Sequence, residues 1–155
     1  MIIIILCMTS CMRKDETEKQ GTQPVLDSTF VCDRFGFSVK YPSEWDSLKD
    51  QGEGIDVPDA GITVLFENKE NQYVLIYGMK WDVSLSQFED VEKEEYTTGK
   101  GLVTDFYELH YDEDIVQSYV FGERKNFAIY VSMSKEMYSR YENTIKSIID
   151  SFEIL

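Results

Sequence analysis

Hydrophobic and polar positions along the chain alternate first between residues 30 and 41, where Phe30-Val31-Cys32 and Phe37-Ser38-Val39-Lys40-Tyr41 flank Asp33-Arg34-Phe35-Gly36. In the second run Phe37, Val39 and Tyr41 fall on one face and Ser38 and Lys40 on the other, the period of a half-buried strand. Two such runs around a short polar connection predict a hairpin. Pro42 has no amide proton to give a ladder, so the strand ends there and the chain turns to bring Trp45 back as a core plug. Residues 46–60 hold Asp46, Asp50, Glu53, Asp56 and Asp59 with Gly52, Gly54 and Pro58, the composition of an exposed loop.

Apolar runs at 61–67 and 72–81, separated by Asn68-Lys69-Glu70-Asn71, predict a second hairpin. Ser84 and Gln87 have the spacing of a capping box, Val83 and Phe88 that of a staple, and Leu85, Phe88, Val91 and Tyr96 share one helical face. The pattern predicts a helix that Gly99 stops. Strands at 102–111, 115–122 and 126–133 follow as a meander. Ser134 is the N-cap of a closing helix whose Met137, Tyr141, Ile145, Ile148, Ile149 and Phe152 form one stripe. Runs of antiparallel strands with segregated helices predict an α+β fold: a central antiparallel β-sheet sandwiched by helices, ending in a long C-terminal helix.

The front of the chain has a different pattern. Residues 2–8 are wholly apolar, too short to span a bilayer, and lead into Met8-Thr9-Ser10-Cys11. A short apolar run before small residues is the pattern of an export signal, here without a basic leading segment, which points to a start further upstream. Met8-Thr9-Ser10-Cys11 resembles the bacterial lipobox, whose cysteine is acylated. The organisation this predicts is a lipoprotein signal over 1–11, a disordered tether over 12–27 and one domain over 28–155. Cys11 is then the lipidation site, and the domain is held outside the cytoplasm on the bacterial cell membrane. The competing reading, a buried N-terminal strand with an incidental cysteine, lacks the alternation of a half-solvated strand. With Cys11 acylated and Cys7 removed, Cys32 is a lone thiol.

Length, about one domain's worth, leaves no room for a second core. Fifteen basic and twenty-nine acidic residues give a net charge of −14. That field repels phosphate backbones, which argues against nucleic acid, and favours a basic ligand, a basic protein surface or a divalent cation. Acidity that merely keeps an exported domain soluble accounts for the same number.

Phe35-Gly36-Phe37-Ser38-Val39-Lys40-Tyr41-Pro42-Ser43-Glu44-Trp45 resembles the opening signature of PsbP-like domains, and 145–152, Ile-Lys-Ser-Ile-Ile-Asp-Ser-Phe, resembles their closing helix. The superfamily includes the photosystem II protein PsbP, the Ran-GTPase release factor and bacterial lipoproteins of the DcrB type. The resemblance implies a central antiparallel sheet sandwiched by helices and, in bacteria, a membrane-tethered protein. It implies no shared ligand, since His110 is the one histidine and no metal-binding histidines of PsbP are matched.

No residue pattern marks a catalytic, cofactor or metal site. Nucleophilic chemistry would have to recruit His110, with Cys32 or a serine, and no nucleophile-elbow motif accompanies it. Asp112, Glu113 and Asp114 are an acidic group in a turn, whereas glycoside hydrolysis needs two carboxyls converging across a cleft. A small hydrolase using His110 or an acidic pair, and a cation-binding accessory protein, are the alternatives to a non-enzymatic binding or assembly module. For the binding reading, Tyr73, Tyr77, Trp81, Tyr119 and Tyr130 are the expected binding face, drawn from a wider aromatic and acidic set with Glu67, Tyr107 and Tyr111.

Overall fold

A computed structural model describes residues 23–54 and 57–155. The signal over 1–11, Cys11 and the tether residues 12–22 lie outside the described residues. Residues 23–27, assigned to the tether by composition, lie against the domain. Gln23 Nε2 donates to the Arg140 carbonyl at 3.0 Å and Gln23 Oε1 accepts from Thr144 at 2.7 Å. Asp27 accepts from the Ser43 amide and hydroxyl, both at 2.8 Å.

The elements in order are β1 (Ser28–Cys32), β2 (Phe37–Tyr41), β3 (Ser47–Asp50), β4 (Asp59–Leu65), β5 (Tyr73–Met79), β6 (Glu94–Thr97), β7 (Val103–His110), β8 (Asp114–Phe121), β9 (Phe127–Ser134), α1 (Lys135–Asp150) and β10 (Glu153–Ile154). They form two antiparallel sheets. The larger has the order β3-β4-β5-β9-β8-β7-β6, and the smaller is β1-β2-β10. The first hairpin, the second hairpin, the three-strand meander and the closing helix stand where the alternation put them.

One face of the large sheet, the inner face, is apolar because its side chains alternate in phase across neighbouring strands. Ile62 and Val64, Val74 and Ile76, Ile129 and Val131, Tyr119 and Phe121 are all buried there. The stripe of α1, Met137, Ile145, Ile148 and Ile149, covers them together with the small sheet. Phe37, Phe121, Phe127 and Phe152 form the centre, with Phe121 and Phe152 rings 4.7 Å apart. Trp45 is buried against Phe66, their centroids 4.1 Å apart. Ser134 caps α1 as predicted, accepting from Met137 N at 3.2 Å. At the other end Ser151 Oγ accepts from Lys40 N at 2.9 Å, and β10 then pairs with β2, which fastens the helix to the small sheet.

Three expectations are corrected. Residues 84–99 are not a helix: they hold one 3-10 turn at Ser86–Phe88 and then β6, paired with β7. The capping box does not form, and Ser84 Oγ instead meets Ser86 Oγ at 3.4 Å. Tertiary contacts override the helical period here. Phe88 buries itself on Tyr107 from the 3-10 turn, while Tyr96 lays its ring edge on Tyr119 and donates to Asp150 at 2.9 Å from the extended backbone of β6. Residues 46–60 are not all loop, because Ser47–Asp50 adds the edge strand β3 to β4. The sheet, finally, is not sandwiched by helices among the described residues: α1 covers the inner face, and the outer face carries the segment around Ser86–Phe88.

Candidate functional site

The outer face divides into two halves. Over β7 and β8, Phe88 packs with Tyr107, Val116 and Val120, and Val83, Leu85 and Val91 close the cluster. Asp105 holds this cover in place, with Lys125 Nζ at 2.7 Å and Lys93 Nζ at 3.4 Å from its carboxylate. These lysines, Lys125 first, pull its carboxyl below the usual carboxylate range. Among the described residues, no such cover lies on the same face over β3, β4, β5 and β9.

Register decides what the uncovered half displays. One cross-strand row is Leu65, Tyr73 and Ser132; the next is Leu48, Thr63, Leu75 and Tyr130; the third is Asp50, Gly61, Tyr77 and Ala128. Asp59 and Met79 form a further pair beyond them. Tyr73 and Tyr130 stack at 6.2 Å between centroids, and Tyr130 also touches the edge of the cover. Leu48 is 66% exposed and Trp81, two residues past β5, is 60% exposed with Lys80 Nζ 5.5 Å from its ring. Between these rows runs a groove of about 470 Å³ lined by Leu48, Lys49, Asp50, Asp59, Ala60, Gly61, Thr63, Leu75, Tyr77 and Met79, with the Lys49 ammonium turned to the Tyr41 ring at 5.3 Å.

Gly61 makes the groove. A Cβ there would sit 2.0 Å from the Ile76 carbonyl oxygen, so no side chain can be built at that point of the row. Neighbouring strands lie about 4.8 Å apart, which leaves Asp50 and Tyr77 facing each other across a gap one side chain wide. Burial raises the Tyr77 phenol's pKa, and the field of Asp59 raises it further. Desolvation does the same to Tyr130.

Of the five residues expected to form a binding face, the structure brings Tyr73, Tyr77 and Tyr130 together on the uncovered half and leaves Trp81 exposed at the end of β5. Tyr119 is a correction. It is 4% exposed and faces inward, where it donates to Gln117 Oε1 at 3.2 Å and where burial pushes its phenol up. Its phase in β8 is that of Phe121, not of Val116 and Val120. Tyr107 lies under the cover, Tyr111 is exposed, and Glu67 sits in the β4-β5 turn with Lys69, Arg140 and Tyr141. Leu48, Asp50, Gly61, Thr63, Leu75 and Met79 were not anticipated. The signal was present in 73–79, Tyr-Val-Leu-Ile-Tyr-Gly-Met, where both parities are apolar and an outer face without cover must be apolar too.

The residues of the alternative chemistries stand apart from this groove. His110 is exposed at the end of β7, its Nε2 2.6 Å from Glu108 Oε1, on the face opposite Tyr107 and Leu109. Cys32 is fully buried in the small sheet. Asp112, Glu113 and Asp114 form the exposed β7-β8 turn, where Tyr111 N donates to the Asp114 carbonyl at 2.9 Å. Among the described residues no three His, Cys, Asp or Glu side chains gather as a metal cage, and no helix is long and apolar enough to cross a membrane.

No family model and no curated protein matches the chain. Among solved structures it is similar to the solution structure of the cyanobacterial PsbP (CyanoP) from Synechocystis sp. PCC 6803, at a TM-score of 0.53 and 14% identity, over 83% of this chain and 92% of that one. The fold of this chain is PsbP-like.

Proposed function

We propose that the protein is a non-enzymatic binding or assembly module, lipid-anchored through Cys11 on the outer side of the bacterial cell membrane, that takes a protein or basic ligand on the uncovered half of its large sheet. The observation that carries this reading is the contrast within one face. Where Phe88 and its neighbours cover the sheet, apolar side chains are sealed; across β3, β4, β5 and β9, among the described residues, Leu48 is exposed and Tyr73, Leu75, Tyr77, Met79 and Tyr130 are left half-buried. An apolar and aromatic surface left partly accessible and rimmed by polar residues is the pattern of an interaction site. The placement of Gln23 on α1 supports the setting, since the proposed tether then leaves from the helix side and the open face points away from it.

A photo-crosslinking amino acid at Leu75, compared with one at Lys146 on the exposed side of α1, tests the reading in the native membrane. A discrete adduct from position 75 and none from position 146 is expected. Equal or absent adducts at both positions contradict it.

A further inference from the structure

We propose that the groove over Gly61 seats a basic side chain, lysine or arginine, carried on an extended peptide or loop of the partner. The inference rests on the binding reading above and names the chemistry of its ligand. Three features of the groove converge on that chemistry.

First, the row Asp50, Gly61, Tyr77 places a carboxylate and an aromatic ring on either side of a position that has no side chain. A cation on a narrow stem fits such a notch, with one side paired to the carboxylate and the other against the ring. Second, Asp59 stands at the upper end of the groove opposite Met79, so a second carboxylate faces the same space. Among the described residues no salt bridge engages Asp50 or Asp59, although Asp50 Oδ1 accepts from Gly52 N at 2.7 Å. Third, the adjoining row sets exposed Leu48 beside half-buried Thr63 and Leu75, whose carbon atoms suit the aliphatic stem of lysine or arginine and an apolar residue beside it. A chain of net charge −14 adds long-range attraction for the same ligand.

The test uses the full chain in solution at 150 mM salt, where long-range attraction fades within about 8 Å. The probes are the capped pentapeptide Leu-Arg-Leu-Arg-Leu and its counterpart with glutamine in place of arginine, titrated while amide and side-chain resonances are followed. The basic peptide is expected to shift Leu48, Gly61, Thr63, Leu75 and Tyr77, and to bind about tenfold more tightly than the glutamine peptide, the scale of one charge-assisted contact. The double variant Asp50→Asn with Asp59→Asn should lose that tenfold preference. Asparagine at 50 keeps the oxygen that caps Gly52, and an unchanged spectrum elsewhere certifies the fold. Equal binding of both peptides at the groove overturns the basic-side-chain inference and leaves the docking face standing. Shifts scattered over the acidic surface, a preference that survives the double variant, or no shift with either peptide overturn it as well.

Discussion

Glu67 shows how one side chain in a tight turn can join two layers. Its backbone is left-handed (φ 49°) between β4 and β5, and its carboxylate accepts from Lys69 at 2.9 Å, Tyr141 at 2.9 Å and Arg140 at 2.7 Å. These donors, Lys69 first, lower its pKa from 4.5 to about 2. The folded pKa lies below the unfolded one, so the stabilisation is complete above pH 4.5 and drains away as pH falls from 4.5 toward 2. Because the group is partly solvated, Glu67→Gln should cost about 1 kcal/mol at pH 7 and almost nothing at pH 2.5. Urea unfolding at the two pH values checks this; an equal cost at both would show that the charge is not what the turn uses. Gly78, on the inner face, meets Phe35 so closely that an added Cβ would lie 2.7 Å from the Phe35 Cβ. Gly78→Ala should therefore destabilise by about 1–3 kcal/mol through overpacking, read as a lower melting temperature. Gly61→Ala should be worse, since its obstacle is a carbonyl oxygen rather than a side chain.

At the scale of elements, the cover between β5 and β6 is the part most sharply distinguished from its sequence pattern. Phe88 is its anchor, and Phe88→Ala should cost about 3–5 kcal/mol, measurable by denaturant unfolding. The same variant should expose Tyr107, Val116 and Val120 and raise binding of a hydrophobic dye, whereas Val103→Ala, on an exposed side chain, should change neither. The hairpins, the meander and α1 were legible because their apolar residues keep one phase over five or more positions, and local phase is enough to fix a strand or a helix face. Ser84–Tyr96 misled because Leu85, Phe88 and Val91 are spaced for a helix and yet reach the sheet from one 3-10 turn and its flanks, with no continuous helix. What settles them is Asp105 gripping Lys93 and Lys125 from another strand. Ser47–Asp50 was hidden because an edge strand needs little apolar content when one side faces solvent. The site was half legible: the tyrosines at 73, 77 and 130 announce an aromatic face. Asp50 and Gly61 carry no local signal, because their meaning comes from register with Tyr77. Tyr119 was misplaced by chemistry, since a phenol in β8 can be buried when Gln117 Oε1 accepts its hydrogen bond.

For the whole molecule, the two sides of the large sheet are built differently. The inner side holds the core, α1 and the small sheet, and it also receives the incoming chain at Gln23. Among the described residues, the outer side is half sealed and half without cover. Under the proposed anchoring at Cys11, residues 12–22 could reach at most about 40 Å when extended, so the domain stays near the bilayer while its open face is turned toward neighbours. A Cys11→Ser chain should move from the membrane to the soluble fraction with its melting temperature unchanged; retention in the membrane would sink the anchor. The central claim, that a partner covers the open half of the sheet, is tested most directly by hydroxyl-radical footprinting of the purified protein and of the same protein in its native membrane. Met79, Tyr77 and Leu48 should be oxidised readily in the purified protein and protected in the membrane, while Leu155, 68% exposed at the small sheet, is labelled alike in both. Equal labelling of Met79 in the two settings would contradict the account.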